Sequence, residues 1–111
     1  VVVDYDNEMV IVGTVQEDGN ESIIAIGSYS RVPNTNLAEV ALVVRDDWQN
    51  KGLGTILFNY LCEIAKKRGL NGFIAWMLAD NRRMMHILKR SGYPIRYKIE
   101  GDIYHVEIRF K

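Results

Sequence analysis

Gln49-Asn50-Lys51-Gly52-Leu53-Gly54 lies between a β-branched run that ends at Val44 and an amphipathic run that opens near Gly52. A helix starting there leaves its first main-chain N–H groups without intrahelical acceptors, and its dipole adds positive potential at the same end. Glycines at 52 and 54 let a ligand come close to the backbone, and Lys51 adds a charge. Those residue types suit the binding of a pyrophosphate. A ligand-free, flexible strand-to-helix turn is the competing reading.

Three familiar phosphate-binding patterns do not fit. A dinucleotide fingerprint needs glycine where this chain has Leu57. A Walker-type loop needs a lysine between its last glycine and a Ser/Thr, whereas Gly54 is followed directly by Thr55. A kinase glycine loop sits in a hairpin and does not run into a helix. What remains is Gln/Arg-x-x-Gly-x-Gly/Ala between a strand and a helix.

The surrounding elements follow from periodicity and turn chemistry. Met9–Gln16 and Ser22–Ser30 read as a hairpin around Glu17-Asp18-Gly19-Asn20, Arg31–Asn36 as a loop, and Leu37–Val44 as a third strand. A helix is expected from about Gly52 to Arg68, with Leu53, Ile56, Leu57, Tyr60, Leu61, Ile64 and Ala65 on its buried stripe and Gly69 as its left-handed cap. Phe73–Leu78 reads as a strand buried on both faces. Asp80 or Asn81 caps a second helix that runs to about Arg90 and closes at Ser91-Gly92. Ile95–Ile99 and Ile103–Phe110 flank a turn at Glu100-Gly101-Asp102. The order β-β-β-α-β-α-β-β predicts an α/β (α+β) fold with a mixed, mostly antiparallel central sheet and helices packed on it.

Composition narrows the function. At 111 residues the chain makes one domain with a modest core. Its 14 basic and 14 acidic side chains cancel, so nothing global steers it to nucleic acid or an anionic membrane, and an anion must be held locally. One cysteine, Cys62, excludes an internal disulfide and a cysteine-based zinc cluster. No apolar run reaches membrane-span length and no signal-peptide layout is present, so the cytoplasm is the expected location. The first residue is Val1 and the chain opens on Val-Val-Val, which suggests a segment of something longer whose exposed edge at Val1–Val3 invites strand pairing between copies. Oligomeric state is not legible.

The segment Val44-Arg45-Asp46-Asp47-Trp48-Gln49-Asn50-Lys51-Gly52-Leu53-Gly54 resembles the acetyl-CoA binding segment of GNAT-type N-acetyltransferases. Ala38-Glu39-Val40-Ala41 on the preceding strand, Asn81-Arg82-Arg83-Met84 at the second helix and Ser91-Gly92-Tyr93 after it fall at matching places. The opening Asp4-Tyr5-Asp6-Asn7-Glu8-Met9, with Ala38–Ala41, is similar to bacterial protein lysine acetyltransferases of the Pat type. GNAT domains normally begin with one more strand and two helices that wall the acceptor side, and these would lie before Val1. The resemblance implies transfer of an acetyl group from acetyl-CoA to an amine acceptor such as a protein lysine, with no metal. A non-catalytic acyl-CoA-binding regulatory module is the alternative, and a structural or partner-binding α/β fragment is a third.

The resemblance also implies roles for single residues. Leu42, Val43 and Val44 would line the coenzyme, with a main-chain N–H near Val43 or Val44 stabilising the oxyanion. Gln49, Asn50, Lys51, Gly52, Leu53, Gly54 and Thr55 would hold its pyrophosphate. Asn81 and Met84 would meet the pantetheine arm, although Asn81 is equally suited to capping the helix. Glu39 is the candidate general base. Strand alternation puts it on one face with Leu37, Ala41 and Val43, an apolar setting that would desolvate its carboxylate. An ion pair or a solvent-facing position is the other reading. Arg82 and Arg83 could reach the 3′-phosphate of the coenzyme, but a solvated helix face is the preferred reading. A tyrosine found in many relatives seven residues after the asparagine is replaced by Leu88, which leaves Ser91, Tyr93 or solvent to protonate the departing thiolate. His86 and His105 show no metal spacing. Cys62 falls one position off the helix stripe as an inert side chain, and Trp48 and Trp76 read as packing residues.

Overall fold

The computed structural model describes residues 2–4, as backbone, and residues 7–110; Val1, Tyr5, Asp6 and Lys111 lie outside the described residues, and with them part of the Val1–Val3 edge and of the Asp4–Met9 string. The strands are β1 (Val2–Asp4), β2 (Glu8–Glu17), β3 (Asn20–Arg31), β4 (Leu37–Val44), β5 (Gly72–Leu78), β6 (Ile95–Glu100) and β7 (Ile103–Arg109). The helices are α1 (Leu53–Lys67) and α2 (Arg82–Arg90), with a single 3-10 turn at Asp46–Trp48. One seven-stranded sheet runs in the order β1-β2-β3-β4-β5-β7-β6. Every neighbouring pair is antiparallel except β4–β5. The mixed, mostly antiparallel sheet expected from the sequence is therefore present. It gains one strand, since Val2–Asp4 pairs with Met9–Ile11 of β2 at the sheet's outer edge.

Turn chemistry fixes the two hairpins. Asp18 and Gly19 both take positive φ (51° and 80°), the two-residue turn whose twist matches flanking strands. Between β6 and β7, Gly101 takes φ 61° at the first turn position. A bulge interrupts the β2–β3 register between Gly13 and Thr14, so that Ile24 and Ala25, adjacent in sequence, are both buried.

Both helices pack on one sheet face. α1 buries Gly54, Leu57, Phe58, Leu61, Cys62 and Ala65, a stripe rotated from the expected one. Ile56 and Tyr60 point outward, and Phe58 and Cys62 take their place. Gly54, Cys62 and Ala65 weigh little in a hydrophobic count, yet their small volume lets the helix approach the sheet. At its end, Leu70 N–H bonds Ala65 O and Gly69 N–H bonds Lys66 O, with Gly69 at φ 83°, so the expected left-handed cap forms. The core centres on Phe73 of β5, whose ring meets Tyr29, Phe58 and Phe110 at centroid distances of 5.6, 6.0 and 5.1 Å.

β5 is not buried on both faces. Phe73, Ala75 and Met77 lie under the helices, whereas Trp76 and Leu78 on the other face are exposed. Phe73→Ala should therefore cost ~3–5 kcal/mol in denaturant unfolding, with Tyr60→Ser within about 0.5 kcal/mol of the parent chain. A small loss at Phe73 would contradict the placement of the core.

Candidate functional site

β4 and β5 pair at three positions only: Leu37 with Gly72, Ala38 with Phe73, and Glu39 with Ile74. β4 then stays with β3 as far as Val44, and β5 stays with β7 as far as Leu78, so the two strands part. The bond from Arg45 N–H to Ile24 O fixes the alternation along β4. Val43 is directed to β3, and the main-chain groups of Leu42 and Val44 turn into the gap. The bond from Ala79 N–H to Asp102 O does the same for β5, turning the main-chain groups of Trp76 and Leu78 into it.

A cleft of about 520 Å³ occupies this gap and reaches the start of α1. That volume suits a small-molecule ligand. Its floor is Leu42, Val43 and Val44, its mouth is Gln49, Asn50, Gly52, Leu53, Gly54 and Thr55, and Asn81 and Met84 of α2 close one side. Glu39 lies where the strands separate and also lines it. Lys51 does not line the cleft; its ammonium sits over the Trp48 ring, 5.8 Å from the centroid.

Local sequence explains the mouth. Arg45 bonds both Glu17 carboxylate oxygens at 3.0 and 2.8 Å and both Asp47 oxygens at 2.6 and 2.9 Å, tying the 3-10 turn to the end of β2. Hydrogen bonds from that guanidinium hold the Glu17 and Asp47 carboxyls below their ordinary range. Their contribution to stability is present above the ordinary carboxylate pKa and is lost as pH falls through the lowered values. Gln49 Nε2 donates to Val44 O at 2.9 Å and to Asp46 Oδ1 at 3.2 Å, which staples the turn to the strand end. Asn50 (φ 62°) and Gly52 (φ 82°) take the left-handed region, and Gly52 caps α1 without a side-chain bond. Among the described residues, no protein acceptor is recorded for the N–H groups of Asn50 to Thr55. A Cβ at Gly54 would meet Ile87 Cδ1 at 2.7 Å, so glycine here permits the close approach of α1 and α2.

Several expectations need correction. Glu39 is exposed, on a face with exposed Ala41 and Val43; the buried face of β4 carries Ala38 and Val40, so the carboxylate is not desolvated by an apolar surround. Asn81 does cap α2, its Oδ1 accepting from Met84 N–H at 3.1 Å, while it also lines the cleft. Leu88 is fully buried in the core. Ser91 Oγ donates to Leu88 O at 2.6 Å, and Tyr93 Oη accepts from Lys66 Nζ at 3.0 Å; neither side chain lines the cleft. Trp48 and Trp76 do line it, against the packing reading, and Arg83 lines it while staying exposed on its helix face. Ala75, Met77 and Ile87 complete the wall, and neither their apolar type nor their spacing set them apart from core residues. Cys62 is buried within the α1 stripe. No group of three His, Cys, Asp or Glu side chains suited to a metal occurs among the described residues, and no helix there is long and apolar enough to cross a membrane.

A strand pair that parts beside a helix N-terminus with free amides makes a cleft suited to an extended small molecule with an anionic end. The chain belongs to the acetyltransferase (GNAT) family, whose profile matches residues 2–93. It is similar to the acetyltransferase Pat of Mycolicibacterium smegmatis, 37% identical over 91 residues that cover 81% of this chain and 27% of that protein. An acetyltransferase of Pseudomonas aeruginosa is 29% identical over 91 residues, covering 82% of this chain and 49% of that protein. The chain thus spans about half the length of one curated relative and about a quarter of the other. The crystal structure of the GNAT domain of S. lividans PAT superimposes with a TM-score of 0.81 at 25% identity, covering 97% of this chain and 64% of that one.

Burial pushes the Cys62 thiol up to about 12, from an ordinary value of 9.0. Below pH 9 the folded chain should resist thiol-specific reagents and react only as fast as it unfolds. Because the folded-state value is raised, stability should decline as pH climbs from 9.0 towards about 12. Fast labelling of the native chain at neutral pH would contradict this burial.

Proposed function

We propose that the chain is an acetyl-CoA-dependent N-acetyltransferase domain acting on a primary amine, with a protein lysine as the acceptor class. The observation that carries this reading is the row of unpaired N–H groups from Asn50 to Thr55 at the mouth of a cleft between parted strands. These groups, with the dipole of α1, would bind the pyrophosphate. The gap-facing main chain of Leu42 and Trp76, with the N–H groups of Val44 and Leu78, would meet the amides of the pantetheine arm, and Asn81 keeps its side-chain N–H2 for the same arm while Oδ1 caps α2.

The thioester would then lie near the point where the strands meet, beside Glu39. Glu39, directly or through water, takes a proton from the acceptor ammonium. The amine nitrogen attacks the thioester carbonyl, the N–C bond forms and the C–S bond breaks. Of the gap-facing main-chain amides, that of Leu42 lies nearer a thioester so placed than that of Val44, which is at the mouth, and that of Val43 is directed to β3. The thiolate can leave without an assigned acid, because a thiol of pKa about 8.5 is a tolerable leaving group. An exposed Glu39 is consistent with proton transfer through water. The absence of Ser91 and Tyr93 from the cleft supports the second reading, a module that binds acyl-CoA without turnover.

Two variants separate these readings. Glu39→Gln should lower kcat by roughly 10²-fold or more while acetyl-CoA affinity, read by calorimetry, stays within a factor of two. If the parent chain binds acetyl-CoA but releases no thiol with any amine, the binding module replaces the enzyme. Gly54→Val, which crowds Ile87 and the helix N-terminus, should weaken acetyl-CoA by about tenfold, the equivalent of ~1.4 kcal/mol. Unchanged affinity there would remove the pyrophosphate assignment.

A further inference from the structure

Among the described residues, both helices pack on one sheet face. On the other face stand Glu39, Ala41 and Val43 of β4 and Ile74, Trp76 and Leu78 of β5. Glu39 and Trp76 both line the cleft, from opposite walls. Since Glu39 pairs with Ile74, Ala41 and Trp76 stand one step further along, where the strands have parted, and the small Ala41 leaves room in front of the indole.

We propose that the Trp76 indole, with the Glu39 carboxylate across the gap, is the seat of the acceptor's alkylammonium group, which enters from the open sheet face. This rests on the amine-transfer reading and names the group that recognises the amine. Trp76 is 54% exposed, so its burial in this chain does not account for a large aromatic there. It is held as a fixed plate: its register partner on β7 is His105, and the two rings stack at 4.2 Å with 28° between planes. The charges around it select for a cation. Among the described residues no cation pairs with Glu39, whereas Glu107, beside Ile74, is neutralised by Arg109 at 2.6 Å. The cations of the neighbouring strand, Arg96 and Lys98, stand beyond Glu107 and His105, one strand further from the gap. An indole face and an unpaired carboxylate on one gap match an alkylammonium, whose charge meets both and whose methylenes lie on the ring. The coenzyme phosphates belong at the α1 N-terminus on the helix side, so the two reactants would approach the thioester carbon from opposite faces.

Nuclear magnetic resonance of the two indole N–H groups tests this without requiring turnover. With the chain saturated in CoA, Nα-acetyl-lysine methylamide should shift the Trp76 signal and leave Trp48 in place, the two being assigned with Trp76→Phe. Trp76→Ala should weaken that binding roughly fivefold to tenfold and Trp76→Phe should restore most of it. The proposal is overturned if only Trp48 moves, if the norleucine analogue shifts Trp76 equally, or if Trp76→Ala binds the lysine analogue as tightly as the parent. Failure of CoA to bind the parent chain would defeat the transferase reading alone, and the same titration without CoA would still decide the seat.

Discussion

Three residue pairs join the two halves of this sheet, and the cleft exists because there are only three. β1 to β4 form one antiparallel block and β5, β7 and β6 another. Each block satisfies its own ladder: β4 keeps β3 to its end, and β5 keeps β7 over its whole length. Pairing β4 with β5 beyond Ile74 would require bending one block against its internal hydrogen bonds. The bulge at Gly13/Thr14 acts in the same direction, since a bulge increases local twist in the block that carries it. The consequence is a set of gap-facing main-chain groups, both donor and acceptor on Leu42 and Trp76 and the N–H alone on Val44 and Leu78, that need a partner other than protein, since Val44 O and Leu78 O already accept from Gln49 Nε2 and Asn81 N–H. Water supplies one, and an extended chain with amides at strand spacing supplies a better one.

The mouth of that gap is built by local chemistry rather than by overall charge. Formal charge is zero, so long-range attraction of an anion contributes little. The local devices are the left-handed Asn50 and Gly52, which end the strand-to-helix turn with amides pointing outward, and the Gln49 bond to Val44 O, which fixes that turn against the strand. Gly54 lets α2 come close enough for Asn81 and Met84 to wall the cleft. Each anion contact at a helix terminus adds on the order of 0.3–1 kcal/mol in exposed settings, so several amides acting together, not a single cation, must hold a diphosphate. Lys51, turned onto Trp48, fits that division of labour.

Much of this was legible in the sequence because it is written in short-range rules. The hairpins, the Gly69 cap, the helix after Gly52 and the turn from Gln49 to Thr55 all follow from φ requirements and periodicity within a few residues. The misreadings concern what faces what. The expected α1 stripe includes Ile56 and Tyr60 because large apolar residues dominate a periodicity count; Leu57, Leu61 and Ala65 of that stripe are buried, but the helix docks through Gly54, Phe58 and Cys62 beside them. The apolar Ala41 and Val43 suggest a desolvated Glu39, yet which face of β4 the helices cover is a tertiary fact that alternation cannot supply. The packing expected of Trp76 fails for the same reason. A strand flanked by apolar residues looks buried on both sides until the open face is seen.

α2 joins these points, because one short helix serves both the core and the site. Leu88 anchors it fully buried, and Ser91 Oγ closes its last turn on Leu88 O. A tyrosine at 88 could not keep both the core contact and a hydroxyl in the cleft without a buried polar group or a rotated helix, and burying an unpaired hydroxyl costs about 1–3 kcal/mol. Choosing leucine therefore favours stability of α2 over a proton donor at its end. The first turn shows how the site is kept nonetheless: Asn81 spends its carbonyl oxygen on Met84 N–H, which fixes the side chain's rotation, and that same constraint aims its N–H2 without further ordering cost. A helix only nine residues long holds its cleft residues in place because its other face is fixed in the core and its first turn is capped by one of those residues.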